Sequence, residues 1–430
     1  MKGDAPHEKI IFPFCKQAAK ARRLTRAISN MPEKNWNQNR RSFKVALLIE
    51  SSRTYGRSIL RGIAKYAHLQ GQWSCFTEER ELHSGIPAWL GYWKGHGIIS
   101  RIEDRKMAIA LRKTGLPVVD VLGNAIFPGI CSFDTDARAV AKLAADFFLN
   151  AGFQHFAFCG YRKIPFSERR EAAYCAYLAE KKKQVLVFAP PLSRGPHSHI
   201  QAIEQHGLSM EQSIAAWLAS QPRPLALFAC NDVRAQQVLN ACRESGIKVP
   251  EEVAVMGVDN DDVLCNLCEP PLTSIEPNAE ELGYRAAALL DRAMHGGHLP
   301  NDSTLIAPTR IVERASTDIV AIEDPVTVQA VRFIRDHVGN GIAVKDVLTH
   351  VNRSRTDVEQ RFRRWLGCSV HSEILRVRIE RVQGLLRLTD LNLDQIANRA
   401  GFATAAHVCR LFQRYYHQTP TEYRKGGQTD

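Results

Sequence analysis

Residues 225–262 read "LALFACNDVRAQQVLNACRESGIKVPEEVAVMGVDNDD". Two short apolar runs flank a segment with helical spacing that stops at Gly246. Strands buried on both faces are uniformly apolar, and joined by helices they form a parallel sheet. Both runs end in polar residues: Asn231 and Asp232 after the first, Asp259 after the second. Parallel α/β sheets bind ligands at the carboxyl ends of their strands. One stretch therefore predicts a fold and a site together.

The alternation extends toward the N-terminus. "KVALLIE" (Lys44–Glu50) is an apolar run, followed by Arg53, Tyr55 and a helix on which Ile59, Ile63 and Ala67 share a face. "GHGIIS", "LPVVDVLG", "FQHFAFCG" and "QVLVFAP" are further runs. "RKMAIALRKTG", "TDARAVAKLAADFFLNAG", "SERREAAYCAYLAEKKK" and "SMEQSIAAWLAS" have helical spacing between them. The expected fold is an α/β two-lobed domain with parallel sheets, one built before about residue 150 and the other after it. Asp136 and Arg169 each fall where a helix begins. Asp and Asn at such positions are commonly helix caps, so each has that second reading. Together with Arg they can also donate to and accept from vicinal hydroxyls, while aromatics cover a sugar's apolar face. Trp73, Trp89, Trp93, Tyr55, Phe133 and Phe166 are the aromatics available in this region.

After about residue 320 the alternation gives way to helical patterns alone. In "AVKDVLTHVNRSRTDVEQRFRRWLG" a short helix ends near Val351 and Ser354 starts another, with Asp357 three residues on as in a capping box. Val358, Phe362 and Trp365 fall on an inward face, and Arg355, Thr356, Glu359, Gln360 and Arg363 on an outward one. The pattern recurs in "LNLDQIANRAGFATAAHVCRLFQRYY". There Val408, Phe412 and Tyr415 are expected inside, with Ala405, Ala406, His407, Cys409, Arg410 and Gln413 outside. "EILRVRIERVQGLLRLT" joins the two units as a longer helix. A helix-turn-helix lays its second helix in the DNA major groove. Small residues there let the backbone approach or meet thymine methyls, and Arg anchors phosphates.

Charge points the same way. The net charge of the 430-residue chain is +12, unevenly spread. Residues 1–44 hold 11 Lys and Arg against 3 acids, residues 325–430 hold 17 against 10, and the stretch between holds 29 against 32. Basic ends on a mildly acidic body suggest that the ends meet a polyanion. Eleven irregularly spaced cysteines suit free thiols in a reducing cytoplasm. No apolar run approaches the ~20 residues that span a bilayer.

"GFATAAHVCRLFQRYYHQTPTEYR" (residues 401–424) resembles the signature of AraC-type transcription factors. Gly401, Phe402, Phe412, Thr419, Pro420, Tyr423 and Arg424 carry the match, with Ser354, Arg361, Phe362 and Gly367 upstream. Ala400, Val408 and His417 depart from the usual residues, at packing positions. The opening stretch, continued by "EPPLTSIEPNAEELGYRAAALL", is similar to the effector domain of LacI-type repressors, which share the periplasmic sugar-binding-protein fold. This combination implies a two-lobed sugar-sensing effector domain over residues 43–320 and an all-α domain with two helix-turn-helix units over 321–430. It leaves residues 1–42 as a basic, disordered extension. It further implies Arg53, Tyr55, Asp136, Arg169, Asn231, Asp232 and Asp259 as effector contacts. The expected partners are an operator in double-stranded DNA, a small sugar effector (a pentose such as xylose), a second copy in a homodimer, and RNA polymerase, with no membrane.

Enzymatic readings fare worse. The sequence has no G-x-x-x-x-G-K-[ST] phosphate loop and no G-x-S-x-G elbow. Cys265 and Cys268 form one C-x-x-C without a second pair, which is weak ground for zinc. "GPHSHIQAIEQHG" reads more simply as a solvated loop. No cofactor and no metal are expected. The competing class is a sugar-binding or sugar-modifying protein whose helical C-terminus mediates association, but such an interface would present apolar rather than basic residues.

Overall fold

The computed structural model describes residues 42–70, 73–82, 84–123, 127, 129–189, 207–300, 302–318 and 324–426. The chain divides into two units, residues 1–42 and 43–430, and everything below concerns the second. The basic N-terminal extension and most of the histidine-containing stretch at 195–207 lie outside the described residues.

Lobe one begins with β1 (Phe43–Leu48), α1 (Thr54–Leu69), β2 (Trp73–Thr77), β3 (Gly97–Ser100), α2 (Arg105–Lys113), β4 (Val118–Asp120) and β5 (Cys131–Thr135). Lobe two contains α3 (Ala137–Asn150), β6 (His155–Cys159), α4 (Pro165–Glu180), β7 (Val185–Val187), α5 (Gly207–Ala219), β8 (Leu225–Ala229), α6 (Asp232–Glu244), β9 (Val253–Val258), α7 (Asp262–Leu267) and β10 (Thr273–Glu276). Then come α8 (Ala279–Met294), β11 (Ser303–Ile306) and β12 (Arg310–Val312). The two six-stranded sheets have the orders β11-β5-β4-β3-β1-β2 and β12-β10-β9-β8-β6-β7. Their pairings are parallel except for β10 with β12. Apolar clusters cover both faces of each sheet, so strands such as β8 and β9 are wholly buried and had to be apolar throughout.

One expectation is corrected. Lobe one is not built only before residue 150, because β11 returns to it and pairs with β5, Ser303 opposite Ser132. This strand lies at the sheet's edge and buries little but Ile306, so it lacks the apolar run that marks the others. Helix α8 also crosses back, lying on α1 with their backbones in contact. A Cβ on Gly62 would stand 1.9 Å from the Glu280 carbonyl oxygen, and one on Gly283 would stand 2.1 Å from that of Ile59. Any larger residue at either position would push the helices apart.

The C-terminal region is helical: α9 (Pro325–His337), α10 (Val344–Val351), α11 (Arg355–Leu366), α12 (Val370–Leu388), α13 (Leu393–Arg399), α14 (Ala405–Tyr416) and α15 (Pro420–Gly426). Two cores form. Val358 and Phe362 pack with Val370, Ile374 and Val377 in one, and Val408 and Phe412 with Ile379, Val382 and Leu386 in the other. Helix α12 thus gives its first half to one unit and its second half to the other. Ser354 and Thr404 cap α11 and α14 by accepting from the Asp357 and His407 N–H groups. Asp357 does not return the capping bond; its carboxylate accepts instead from Arg361 Nε at 2.8 Å. Gly401, at φ 75°, makes the turn before α14, and a Cβ there would meet the Val338 carbonyl at 2.2 Å. His417 ends α14 at φ 57°, a left-handed C-cap position that glycine fills most readily.

Two inward assignments shift. Tyr415 is exposed, and Tyr416 instead packs on Phe412 with ring centroids 4.6 Å apart. An i, i+4 neighbour stacks over Phe412 more directly than the i+3 residue. Trp365 is half-buried and packs against the core cluster of lobe two rather than inside its own unit, while Leu366 beside it touches both cores.

Candidate ligand cleft and nucleic-acid-facing helices

The carboxyl ends of six strands face one cleft of about 530 Å³, counting the space open to solvent. Lobe one lines it with Glu50, Arg53, Tyr55, Leu82, Arg101, Leu122, Asp134 and Thr135, and lobe two with Phe166, Arg170, Asn231 and Asp259. Side-chain hydrogen bonds reach across between the lobes: Arg169 Nη2 donates to Asp134 Oδ2 at 2.6 Å, and Thr54 Oγ1 donates to Asp261 Oδ2 at 2.8 Å.

Three arginines and three carboxylates meet in this cleft. Glu50, almost fully buried, accepts from Arg101 Nη1 at 3.1 Å. Burial works against the charged form of Arg101, yet Glu50 and Glu103 outweigh it and raise its pKa. Burial likewise pushes the Asp134 carboxyl above its usual range, against the pull of Arg169. The Tyr55 phenol, pushed up by burial and then by Asp134, bonds to Thr135 Oγ1 at 3.1 Å. Arg170 donates to the Cys230 carbonyl, lies over the Phe166 ring and stands 3.9 Å from Asp259. Asp259 has φ 115°, a backbone state that costs a non-glycine residue about 1–3 kcal/mol and concentrates at ligand sites.

The expected effector residues divide. Arg53, Tyr55, Asn231 and Asp259 line the cleft. Arg169 reaches its edge through Asp134, while its neighbour Arg170 lines it directly. Asp136 is the N-cap of α3, accepting from the N–H groups of Arg138 and Ala139. The buried carboxylate of Asp232 accepts from Ser274 Oγ at 2.6 Å, Asp261 N at 2.9 Å and Cys265 Sγ at 3.4 Å. Neither Asp136 nor Asp232 is among the lining residues. Sequence reasoning missed Glu50, Arg101 and Asp134, although the first two directly follow apolar runs, the signal used elsewhere. Of the aromatics, Tyr55 and Phe166 line the cleft and Phe133 is core. Trp73 donates to Asp291, and Trp89 and Trp93 pack on Phe76. Among the described residues no group of three or more metal-ligating side chains converges, and no helix is long and apolar enough to cross a membrane.

On α11, Arg355, Thr356, Gln360 and Arg363 are exposed and Glu359 is half-buried. On α14, Ala406, Arg410 and Gln413 are exposed, with Ala405, His407 and Cys409 half-buried. Each helix begins at a capped turn after a shorter helix, the geometry of a helix-turn-helix unit. Tyr423 and Arg424 serve the fold, bonding to Gln383 Nε2 at 2.8 Å and to the Leu391 carbonyl at 2.7 Å.

A two-lobed ligand-binding body carrying two helix-turn-helix units at its C-terminus defines a ligand-responsive DNA-binding regulator. Comparison with known proteins agrees. Family models match a periplasmic binding protein-like domain at residues 145–317, a helix-turn-helix domain at 347–426 and a XylR N-terminal domain at 44–129. The xylose operon regulatory protein of Escherichia coli strain K12 is 30% identical over 389 residues, covering 89% of this chain and 96% of that protein. Its namesake in Haemophilus influenzae is 30% identical over 391 residues, covering 89% and 98%. The solved structure of the xylose-binding transcription activator XylR matches with a TM-score of 0.71 at 29% identity, covering 90% of this chain and 98% of that one. A LacI family regulator from Enterococcus faecium with bound ribose shares the fold of the body, with a TM-score of 0.51 at 20% identity over 65% of this chain and 99% of its own. The chain belongs to the xylose operon regulatory protein family, and it is a sugar-responsive, DNA-binding transcriptional regulator with an AraC-type helix-turn-helix domain.

Proposed function

We propose that the cleft binds an uncharged pentose, D-xylose first among the candidates, and that its closure shifts operator binding and activates pentose-catabolism genes. The balance of three guanidiniums against three carboxylates at the strand ends of both lobes carries this reading. Such a site offers donors and acceptors for hydroxyls but no net charge for a phosphate. Arg53, Tyr55, Asn231 and Asp259 contact the sugar, joined by Glu50, Asp134 and Arg170. Arg169 holds Asp134, and Asp136 and Asp232 hold the elements that shape the cleft. Residues 43–320 form the effector domain, 321–430 the DNA-binding domain and 1–42 an extension. The protein acts in the cytoplasm as a homodimer, without catalysis of its own, and contacts RNA polymerase when it activates. Ten free cysteines among the described residues favour a reducing compartment.

Thermal stability measured against a panel of pentoses, hexoses and their phosphates tests the ligand. A ligand that binds only the native state stabilises it by about 2.7 kcal/mol at 100 times its Kd. A saturating rise with D-xylose and none with D-xylose 5-phosphate is expected; no rise with any pentose overturns the reading.

The exposed faces of α11 and α14 enter DNA, Arg355, Thr356, Glu359, Gln360 and Arg363 from the first, Ala405, Ala406, His407, Cys409, Arg410 and Gln413 from the second. A dimer presents four such helices and so prefers paired half-sites. Arg410→Ala is expected to weaken specific binding by about 1–3 kcal/mol. Titration of a duplex selected by the full chain from a random-sequence pool checks it, and unchanged affinity removes Arg410 from the contacts.

A further inference from the structure

A path of hydrogen bonds and covalent links runs through lobe two from beside the cleft to α12, the helix that both helix-turn-helix cores share. It starts beside Asp259, where Asn260 also has positive φ, 46°. The Asn260 side-chain oxygen accepts from Arg314 Nη2 at 3.0 Å. Arg314 is otherwise fixed: its Nη1 donates to the Leu272 carbonyl at 2.8 Å and its backbone N–H to Thr273 Oγ1 at 2.7 Å. In the 3₁₀ turn that follows, Ala315–Thr317, Ser316 and Thr317 are buried in the lobe. There Ser316 Oγ donates to the Val255 carbonyl at 2.6 Å and accepts from Thr273 N at 2.8 Å. Asp318 comes next, and its carboxylate accepts from Arg376 Nη1 at 2.7 Å. Arg376 lies in the first half of α12, the helix shared by both helix-turn-helix cores, and also pairs with Glu373 and Glu380 on that helix.

A second arm runs beside the first. Strand β9, wholly buried, ends at the cleft with Asp259 and is preceded at its other end by Glu251. Arg335 on α9 stands 3.7 Å from Glu251 and 3.2 Å from Asp318. Both arms are rigid, hydrogen-bonded segments of lobe two that end on guanidiniums of the helical domain. A packed segment of this kind moves as a body rather than deforming, so a change in the Asp259–Asn260 turn displaces Asp318.

We propose that Asn260, Arg314 and Asp318 form a relay that carries the state of the sugar cleft to Arg376, and through it to both DNA-facing units at once. The proposal rests on the reading of the cleft as a sugar site. Its physical content is a coupling between two sites through an element that both bias. It also gives α12 a purpose beyond joining: a helix held at Arg376 alters the relative setting of α11 and α14, and hence the spacing that a paired site must match.

Hydrogen–deuterium exchange of the full chain with and without D-xylose tests it. In the unaltered protein the sugar is expected to change exchange across residues 370–388 by about fivefold or more, the low end of ordinary coupling. Asn260→Gly keeps the positive φ and deletes the acceptor; Asp318→Asn keeps the shape and deletes the charge. Each is expected to bind D-xylose within about threefold of the unaltered affinity, on a scale where tenfold is 1.4 kcal/mol, and to lose the exchange change in 370–388. Two folded variants that bind the sugar and keep the change overturn the relay. So does sugar binding to the unaltered chain that leaves 370–388 unmoved. Loss of sugar binding in Asn260→Gly also overturns it, by making Asn260 a cleft residue. Failure of the unaltered chain to bind D-xylose, by contrast, strikes the reading of the cleft on which the relay depends.

Discussion

Asp259→Ala is expected to lower the affinity for the sugar by at least about 100-fold and to leave sugar-free operator binding intact. Asp259 follows β9 at the centre of the lobe-two contribution to the cleft, 3.9 Å from the Arg170 guanidinium. On the proposed reading a carboxylate there would accept from two sugar hydroxyls, each such charge-assisted bond being worth about 1.5–3 kcal/mol. Losing two removes about 3 kcal/mol or more, which is at least 100-fold. Strain and chemistry can be separated, because at φ 115° alanine keeps the backbone cost while glycine removes it. Asp259→Gly should bind as poorly as Asp259→Ala but be the more stable of the two by about 1 kcal/mol or more. Calorimetric titration with D-xylose and denaturant unfolding read the two effects; a titration within about threefold of the unaltered protein would take Asp259 out of the site.

The same substitution reaches Asp232. Burial first, and then the charge of Asp259, push the Asp232 carboxyl above its ordinary range. A carboxyl raised in the folded state binds more protons there than in the unfolded chain, so it contributes stability below the ordinary carboxylate range and loses it as pH rises through the raised value. Asp259→Ala removes one of the two causes, so the decline of stability toward alkaline pH should become shallower.

Much of this site was legible because buried parallel strands advertise themselves. "LALFA" and "VAVMGV" are apolar at every position since both faces are covered, and the polar residues after them stand at the cleft by topology. The same rule reaches Glu50 and Arg101, which follow β1 and β3 but are not among the expected contacts. Asp134 escaped for another reason: it lies inside β5 itself, as its next-to-last residue, and the sequence "CSFDT" does not read as an apolar run with a polar end. Between Arg169 and Arg170 sequence offers no choice, since neighbours on a helix point about 100° apart and only the placement of α4 decides which enters the cleft. Asp136 opens α3, and the plainer reading of an acid at a helix start, a partner for local N–H groups, describes what its side chain does; at the start of α6 that role falls to Asn231, while Asp232 bonds across the lobe to Ser274, Asp261 and Cys265.

The helical domain tests a different link in the chain from sequence to function. Phe412→Ala is expected to cost about 3–5 kcal/mol, as large-to-small changes at buried aromatics do. Phe412 is wholly buried in the core that α12 shares with α13 and α14. Tyr416, tilted, and Tyr423, edge-on, pack around it with ring centroids at 4.6 and 5.3 Å, and both hydroxyls bond to the Gln383 side chain, at 3.0 and 2.8 Å. That polar clasp limits how far the surroundings can collapse into the space left behind, which places the cost toward the upper end. Because this core is separate from the one around Phe362, the loss should fall on the second helix-turn-helix unit first. Calorimetric melting should then resolve an early helical transition while D-xylose still raises the later one. Operator affinity should drop far more than for Arg410→Ala, since a missing recognition unit removes every contact it makes rather than one. A single transition lowered as a whole, with sugar and operator binding lost together, would mean that the second unit folds only as part of the entire chain.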